Sequence, residues 1–121
     1  MQFDLMTGNL NWARSAELAK LLDEAGVSGM LFTEAGSVPW MQICSASQAA
    51  PSLEFSTGIA VAFPRSPMIT AQIAWELAEN TQGRFRMGIG SQVRRNYHRR
   101  YSALWDNPAP HKRDKLKAFK A

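Results

Sequence analysis

The segment Gly88-Ile89-Gly90-Ser91-Gln92-Val93 has the residue types that let backbone N–H groups approach a ligand closely. In a G-x-G-x-x-G turn after a strand, such glycines cradle a pyrophosphate. Val93 stands where the third glycine belongs, and the segment follows the fourth apolar run rather than the first, so a dinucleotide site is not indicated. Two readings stay open: glycines that admit a ligand at the C-terminal end of a parallel strand, or a plain exit turn. Glu34 ends the run Met30-Leu31-Phe32-Thr33 and reads as a carboxylate on a ligand-binding rim or as a solvated loop acid. Gly58 lies inside a third apolar run, where glycine marks a bulge, a close backbone approach or a simple accommodation of twist.

Arg94, Arg95, Arg99 and Arg100 surround Asn96, Tyr97, His98 and Tyr101. That interleaving suits nucleic acid, a clamp on a cofactor phosphate, or an exposed basic loop. His98 and His111 have no metal-ligand spacing to other His, Cys, Asp or Glu residues, so no metal site is expected. Cys44 sits in an apolar helical stretch and reads as a packed small side chain. The four tryptophans read as packing residues, with Trp40 near the start of a rim helix and placed to touch a ligand.

The bulk of the chain sets the frame for these residues. At 121 residues it is one domain at most. With 45% hydrophobic and 20% charged residues it has apolar surface to bury, which excludes intrinsic disorder as its main description. No apolar run reaches the roughly 18–20 residues of a membrane span. Met1-Gln2-Phe3-Asp4 lacks the features of a secretory signal, and a lone cysteine makes no internal disulfide, so the cytoplasm is the expected location. The net charge of +4 is uneven: most basic residues fall within 84–120, against only Asp106 and Asp114 there.

The elements that must position the candidate residues follow from periodicity and caps. Gln2–Met6 predicts a strand, and Asn11 predicts the cap of a helix over Trp12–Ala25 whose stripe is Leu18, Leu21, Leu22 and Ala25. Gly26 ends that helix, and Ser28–Glu34 predicts a buried strand. Pro39 opens a second helix to about Ala49, and Leu53–Phe63 predicts the third strand. Ser66 and Pro67 open a third helix from Met68 to about Asn80, Gly83 breaks it, and Arg84–Ile89 predicts the fourth strand. His111–Ala121, with Leu116 and Phe119 amid lysines, reads as the first turns of another helix. Strands alternating with helices across short connections predict an α/β fold with a parallel sheet.

Three segments, in this order and spacing, carry a resemblance. They are Ala25-Gly26-Val27 with Phe32-Thr33-Glu34, then residues 56–67 (Ser56-Thr57-Gly58-Ile59 through Pro64-Arg65-Ser66-Pro67), then Gln82-Gly83-Arg84-Phe85-Arg86-Met87-Gly88-Ile89-Gly90. From Phe3 to about Leu116 the chain resembles the luciferase-like monooxygenase superfamily, in particular its coenzyme F420-dependent oxidoreductases. The resemblance implies an α/β fold forming the N-terminal part of a (β/α)8 TIM barrel. About four βα units over residues 1–121 would form an incomplete barrel. It implies coenzyme F420, or alternatively FMN, bound by Glu34, Gly58, Ile59, Gly90, Ser91, Gln92 and Asn96. It also implies a non-prolyl cis peptide at Gly58–Ile59 within a bulge of strand three. The implied chemistry is hydride transfer between the deazaflavin and a small molecule, with the protein supplying orientation and electrostatics. Some relatives carry a catalytic histidine directly after the rim acid; Ala35 stands there, so no catalytic residue is assigned.

Two functions are weighed. The first is a truncated flavin- or deazaflavin-dependent oxidoreductase with an incomplete active site. The second is a non-catalytic interaction module whose basic segment 94–100 binds phosphate or nucleic acid, a less favoured partner. A half barrel leaves strand edges and one sheet face uncovered, so a homo-oligomer is expected, and no membrane contact.

Overall fold

The expected alternation folds as β1 (Asp4–Thr7), α1 (Trp12–Glu24), β2 (Gly29–Thr33), α2 (Pro39–Ala49), β3 (Glu54–Val61), α3 (Pro67–Asn80), β4 (Phe85–Arg86) and β5 (Ile89–Gly90). This computed structural model describes residues 1–92. Among them the strands form one parallel sheet in the order β1-β2-β3-β4, with β5 also paired to β3. Parallel strands adjacent in sequence order, each joined by a helix, are how a (β/α)8 barrel begins.

The helix starts are where the capping residues put them. Asn11 Oδ1 accepts from the Arg14 N–H at 2.8 Å and Ser66 Oγ from the Ile69 N–H at 3.2 Å. Pro39 and Pro67 each occupy a first turn, where a missing N–H costs nothing. Gly26 and Gly83 follow α1 and α3 with φ of +75° and +81°, a conformation a side chain resists.

The core lies between the sheet and the helices. Phe32, Met30, Phe55 and Phe85 from the strands meet Ala19 of α1, Ile43 and Ala46 of α2, and Leu77 of α3. On α1 the buried positions are Ser15 and Ala19, flanked by Leu18 and Leu22, while Leu21 and Ala25 are exposed. The expected stripe is therefore turned: the fully buried positions of α1 are its small residues. Ser45 of α2 donates to the Trp12 carbonyl at 2.7 Å, tying the two helices together.

Other packing expectations are corrected in the same way. Cys44 is exposed on α2 rather than packed, and Trp12 and Trp75 are 64% and 75% exposed. Trp40 is buried as expected, and Trp105 lies outside the described residues. Arg84 and Arg86 are not part of a free basic face. Arg84 donates to the carbonyls of Ala50 and Leu53, and Arg86 pairs with Glu54 at 2.6 Å.

Candidate functional site

The expected fourth strand is split, and the reason lies in β3. Against β2, pairing runs Phe32↔Thr57 and then Thr33↔Ile59, so Gly58 has no partner. Against the following strands it runs Phe55↔Phe85 and Ser56↔Arg86, then resumes one residue out of step at Ala60↔Ile89 and Val61↔Gly90. β3 thus carries one residue more than its neighbours on both sides, a bulge centred on Gly58. Thr57 bridges the gap: its Oγ1 accepts from the Gly88 N–H at 2.9 Å and donates to the Gly88 carbonyl at 2.8 Å. The Ala60 N–H takes the same carbonyl at 2.8 Å, restarting the ladder.

Three glycines meet the steric needs of that bulge. A Cβ on Gly58 would lie 2.6 Å from Leu31 Cδ2. One on Gly88 would run into the Thr57 carbonyl oxygen, and one on Gly90 would lie 2.7 Å from Ile59 Cγ2. Phe55 and Thr57 before the bulge, and Ala60 after it, are buried, so the extra residue inverts the alternation of faces. Ile59 is left 40% exposed at the C-terminal end of the sheet.

One strand over, Glu34 leaves β2 and turns inward, only 6% exposed. Its Oε2 accepts from the Val61 N–H at 2.7 Å and from Arg65 Nη1 at 3.0 Å, while Oε1 accepts from Arg65 Nη2 at 2.6 Å. Arg65 Nη1 also donates to the Val61 carbonyl at 3.1 Å, and its guanidinium lies 5.4 Å from the Trp40 ring centroid. The planar fork of arginine matches the carboxylate in two parallel bonds, and the aromatic face covers the cation. A carboxylate from β2, the backbone of β3, an arginine from the β3–α3 loop and a tryptophan from α2 are thus locked together. Glu34 is not a solvated loop acid.

Most of the expected site residues converge on this rim. Gly58, Ile59 and Gly90 meet at the strand-three exit, and Glu34 reaches the same exit through Val61. Ser91 and Gln92 follow β5, with Gln92 at a φ of +58°. Asn96 and the whole 94–100 segment lie outside the described residues, as do His98, His111 and the helix expected from His111. The cis peptide expected at Gly58–Ile59 is absent; the bond is trans, and the bulge takes up the change of register without isomerisation. Among the described residues no His, Cys, Asp or Glu cluster could hold a metal, and no helix is long and apolar enough to cross a membrane.

Arg65 is a site residue that the motifs do not single out. Its signal was available: a lone cation just after strand three faces a lone acid just after strand two, and neighbouring parallel strands bring their exits together.

A family model described as luciferase-like monooxygenase matches residues 2–121. Uncharacterized proteins of Mycobacterium tuberculosis and Mycobacterium bovis are 37% identical over 109 residues, covering 90% of this chain and 32% of each relative. The chain thus spans about a third of the length of the curated relatives it matches. Its fold is similar to that of a type II Baeyer–Villiger monooxygenase, the oxygenating constituent of 3,6-diketocamphane monooxygenase from Pseudomonas putida in complex with FMN. That match has a TM-score of 0.82 at 15% identity and covers 99% of this chain and 37% of the other. Coenzyme F420-dependent tetrahydromethanopterin reductase from Methanopyrus kandleri matches with a TM-score of 0.74 at 18% identity, over 81% of this chain and 29% of the other.

Proposed function

Since the chain belongs to the luciferase-like monooxygenase family, we propose that residues 1–121 form the opening part of a (β/α)8-barrel oxidoreductase that uses a deazaflavin or flavin. Coenzyme F420 is the first choice of cofactor and FMN the alternative. The observation that carries this reading is the bulge at Gly58. It lies at the C-terminal end of a parallel sheet, where such folds hold ligands.

The rim fits a flat ring. Ile59 offers an exposed apolar ledge, and Gly90 beside it adds no side chain to obstruct approach. When bound, the ring supplies the redox chemistry, exchanging a hydride with a small-molecule substrate. The chain's own residues bind and orient. Gly58 and Ile59 would support the ring, and Gly90, Ser91 and Gln92 would bind the cofactor with Asn96, which lies outside the described residues. Glu34 has its carboxylate oxygens engaged by Val61 and Arg65, so its part is to hold the ledge in place. No residue here is assigned a proton-transfer role.

Titration of the 121-residue chain with F420, followed by the cofactor's fluorescence with FMN as control, tests this. Saturable binding is expected, weakened at least ~10-fold by Ile59→Asp, because a charge would replace an apolar contact under the ring. FMN binding without F420 binding would select the alternative cofactor. Failure of both to bind would overturn the reading for this chain.

A further inference from the structure

The three helices differ in what they show to solvent. α1 carries Arg14, Glu17, Lys20, Asp23 and Glu24, and its Arg14–Glu17 and Lys20–Glu24 pairs mark an ordinary solvated face. α2 has no charged residue, and α3 has only Glu76 and Glu79. Their outward positions are instead large and apolar: Met41 on α2, and Met68, Ile69 and Trp75 on α3, are each about half exposed or more. The two helices share this surface, because the carboxylate of Glu76 on α3 acts on the Cys44 thiol of α2. Loss of charge together with tryptophan and methionine is the composition of the core of a protein interface.

At about 200 Å² for a large side chain, these four residues leave roughly 500 Å² of apolar surface uncovered. Each partner in a standard interface buries about 800 Å², so four side chains already supply more than half of it. The face is also shaped to fit itself. Trp75 and Met68 stand out from α3, whereas α2 beyond Met41 presents the small Cys44, Ser45 and Ser47. One copy thus holds both a ridge and a low strip to receive it, which is what an isologous contact needs. Setting α3 of one copy on α2 of the other also places Glu76 and Glu79 against a helix without acids.

From this charge-poor, self-complementary face we infer that α2 and α3 bind a second copy of this chain across a two-fold axis, with Trp75 and Met68 of each copy over Met41 and Cys44 of the other. The face lies on the outside of the helix layer, apart from the rim at Glu34 and Ile59, and the inference does not depend on a flavin or deazaflavin.

Light scattering of the full chain in a dilution series tests this, alongside the alkylation rate of Cys44, the chain's single cysteine. Both are read in Met6→Glu, which charges the sheet face turned away from the helices, so that association through the helix face is read alone. A dimer is expected, with Cys44 alkylation slowing in step with the dimer fraction. Trp75→Glu should weaken dimerisation at least ~100-fold and restore Cys44 reactivity, since a large aromatic anchor is lost twice per interface. Leu21→Glu, at an exposed leucine of α1, should change neither. A monomer at every concentration would overturn the inference. So would dimerisation that Trp75→Glu leaves unchanged or Leu21→Glu weakens equally, or a dimer in which Cys44 reacts as fast as in the monomer.

Discussion

Removing the Glu34 carboxylate tests whether the exits of β2 and β3 are locked by one buried ion pair. In Glu34→Ala the Arg65 guanidinium loses its bonds to Oε1 and Oε2 at 2.6 and 3.0 Å, and the Val61 N–H loses its acceptor at 2.7 Å. Arg65 keeps only the Val61 carbonyl and the Trp40 ring among those partners. Taking one member from a buried pair costs about 3–5 kcal/mol, against ~0–1 kcal/mol for an exposed pair. Arg65 retains 16% side-chain exposure, and some water will reach the abandoned cation, so the low end, about 3 kcal/mol, is expected. With a urea slope of about 2 kcal/mol/M, the unfolding midpoint should fall by about 1.5 M. Glu34→Gln, which keeps the shape but loses the charge, should cost less, about 1.5–3 kcal/mol. The double variant Glu34→Leu/Arg65→Met removes both charges and should be more stable than the sum of the two single changes, a coupling of roughly 2 kcal/mol. Molar salt should leave the Glu34→Ala loss nearly unchanged, because a buried pair is poorly screened. A Glu34→Ala loss under about 0.5 kcal/mol would refute this account, as would strict additivity in the double variant.

Four further outcomes follow from the fold. Gly88→Ala drives a Cβ into the Thr57 and Gly58 carbonyls and should cost near the top of the ~1–3 kcal/mol overpacking range. Gly90→Ala meets the Ile59 side chain first, so it should cost less in urea unfolding and be relieved by Ile59→Ala. The Cys44 thiol has its pKa raised by partial burial and then by Glu76, so alkylation should need a higher pH than for a free cysteine, and Glu76→Gln should shift the rate profile to lower pH. Met6 is well exposed in line with Leu31, Ser56 and Arg86 on the sheet face away from the core, so light scattering should find homo-oligomers; a monomer at every concentration would refute it.

What was legible in the sequence was local. Asn11 and Ser66 cap the helices they announce, Pro39 and Pro67 stand in first turns, and Gly26 and Gly83 take the positive φ that ends a helix. These signals act over a few residues and need no knowledge of the fold. The turned face of α1 was not legible, because hydrophobic periodicity favours Leu21, whereas the fully buried positions are the small residues Ser15 and Ala19. The exposure of Trp12 and Trp75 escaped for a similar reason: composition says that tryptophan packs, but only the arrangement of neighbours says against what. Glu34 was legible as a rim residue but not as an ion-paired one. Its cation lies 31 positions away and is brought to it by a crossover helix.

Gly58, Gly88 and Gly90 look in the sequence like separate breaks in two apolar runs. In the fold they answer one geometric problem. An extra residue in β3 must be lost against both neighbours, so Gly58 drops out of pairing beside Leu31, and Gly88 must pass close under the Thr57 carbonyl before pairing resumes. The inverted alternation then turns Ile59 outward over Gly90, where any side chain would collide with it. Thr57 completes the unit, because a hydroxyl that both donates and accepts at one atom satisfies the Gly88 N–H and adds a second bond to its carbonyl across the interrupted ladder. A valine of the same shape would fill the space, leave the Gly88 N–H unpaired and leave its carbonyl with the Ala60 N–H alone. The exposed ledge at Ile59 is thus set by a threonine and three glycines acting together, and the Glu34–Arg65 pair fixes the strand just beyond it through Val61.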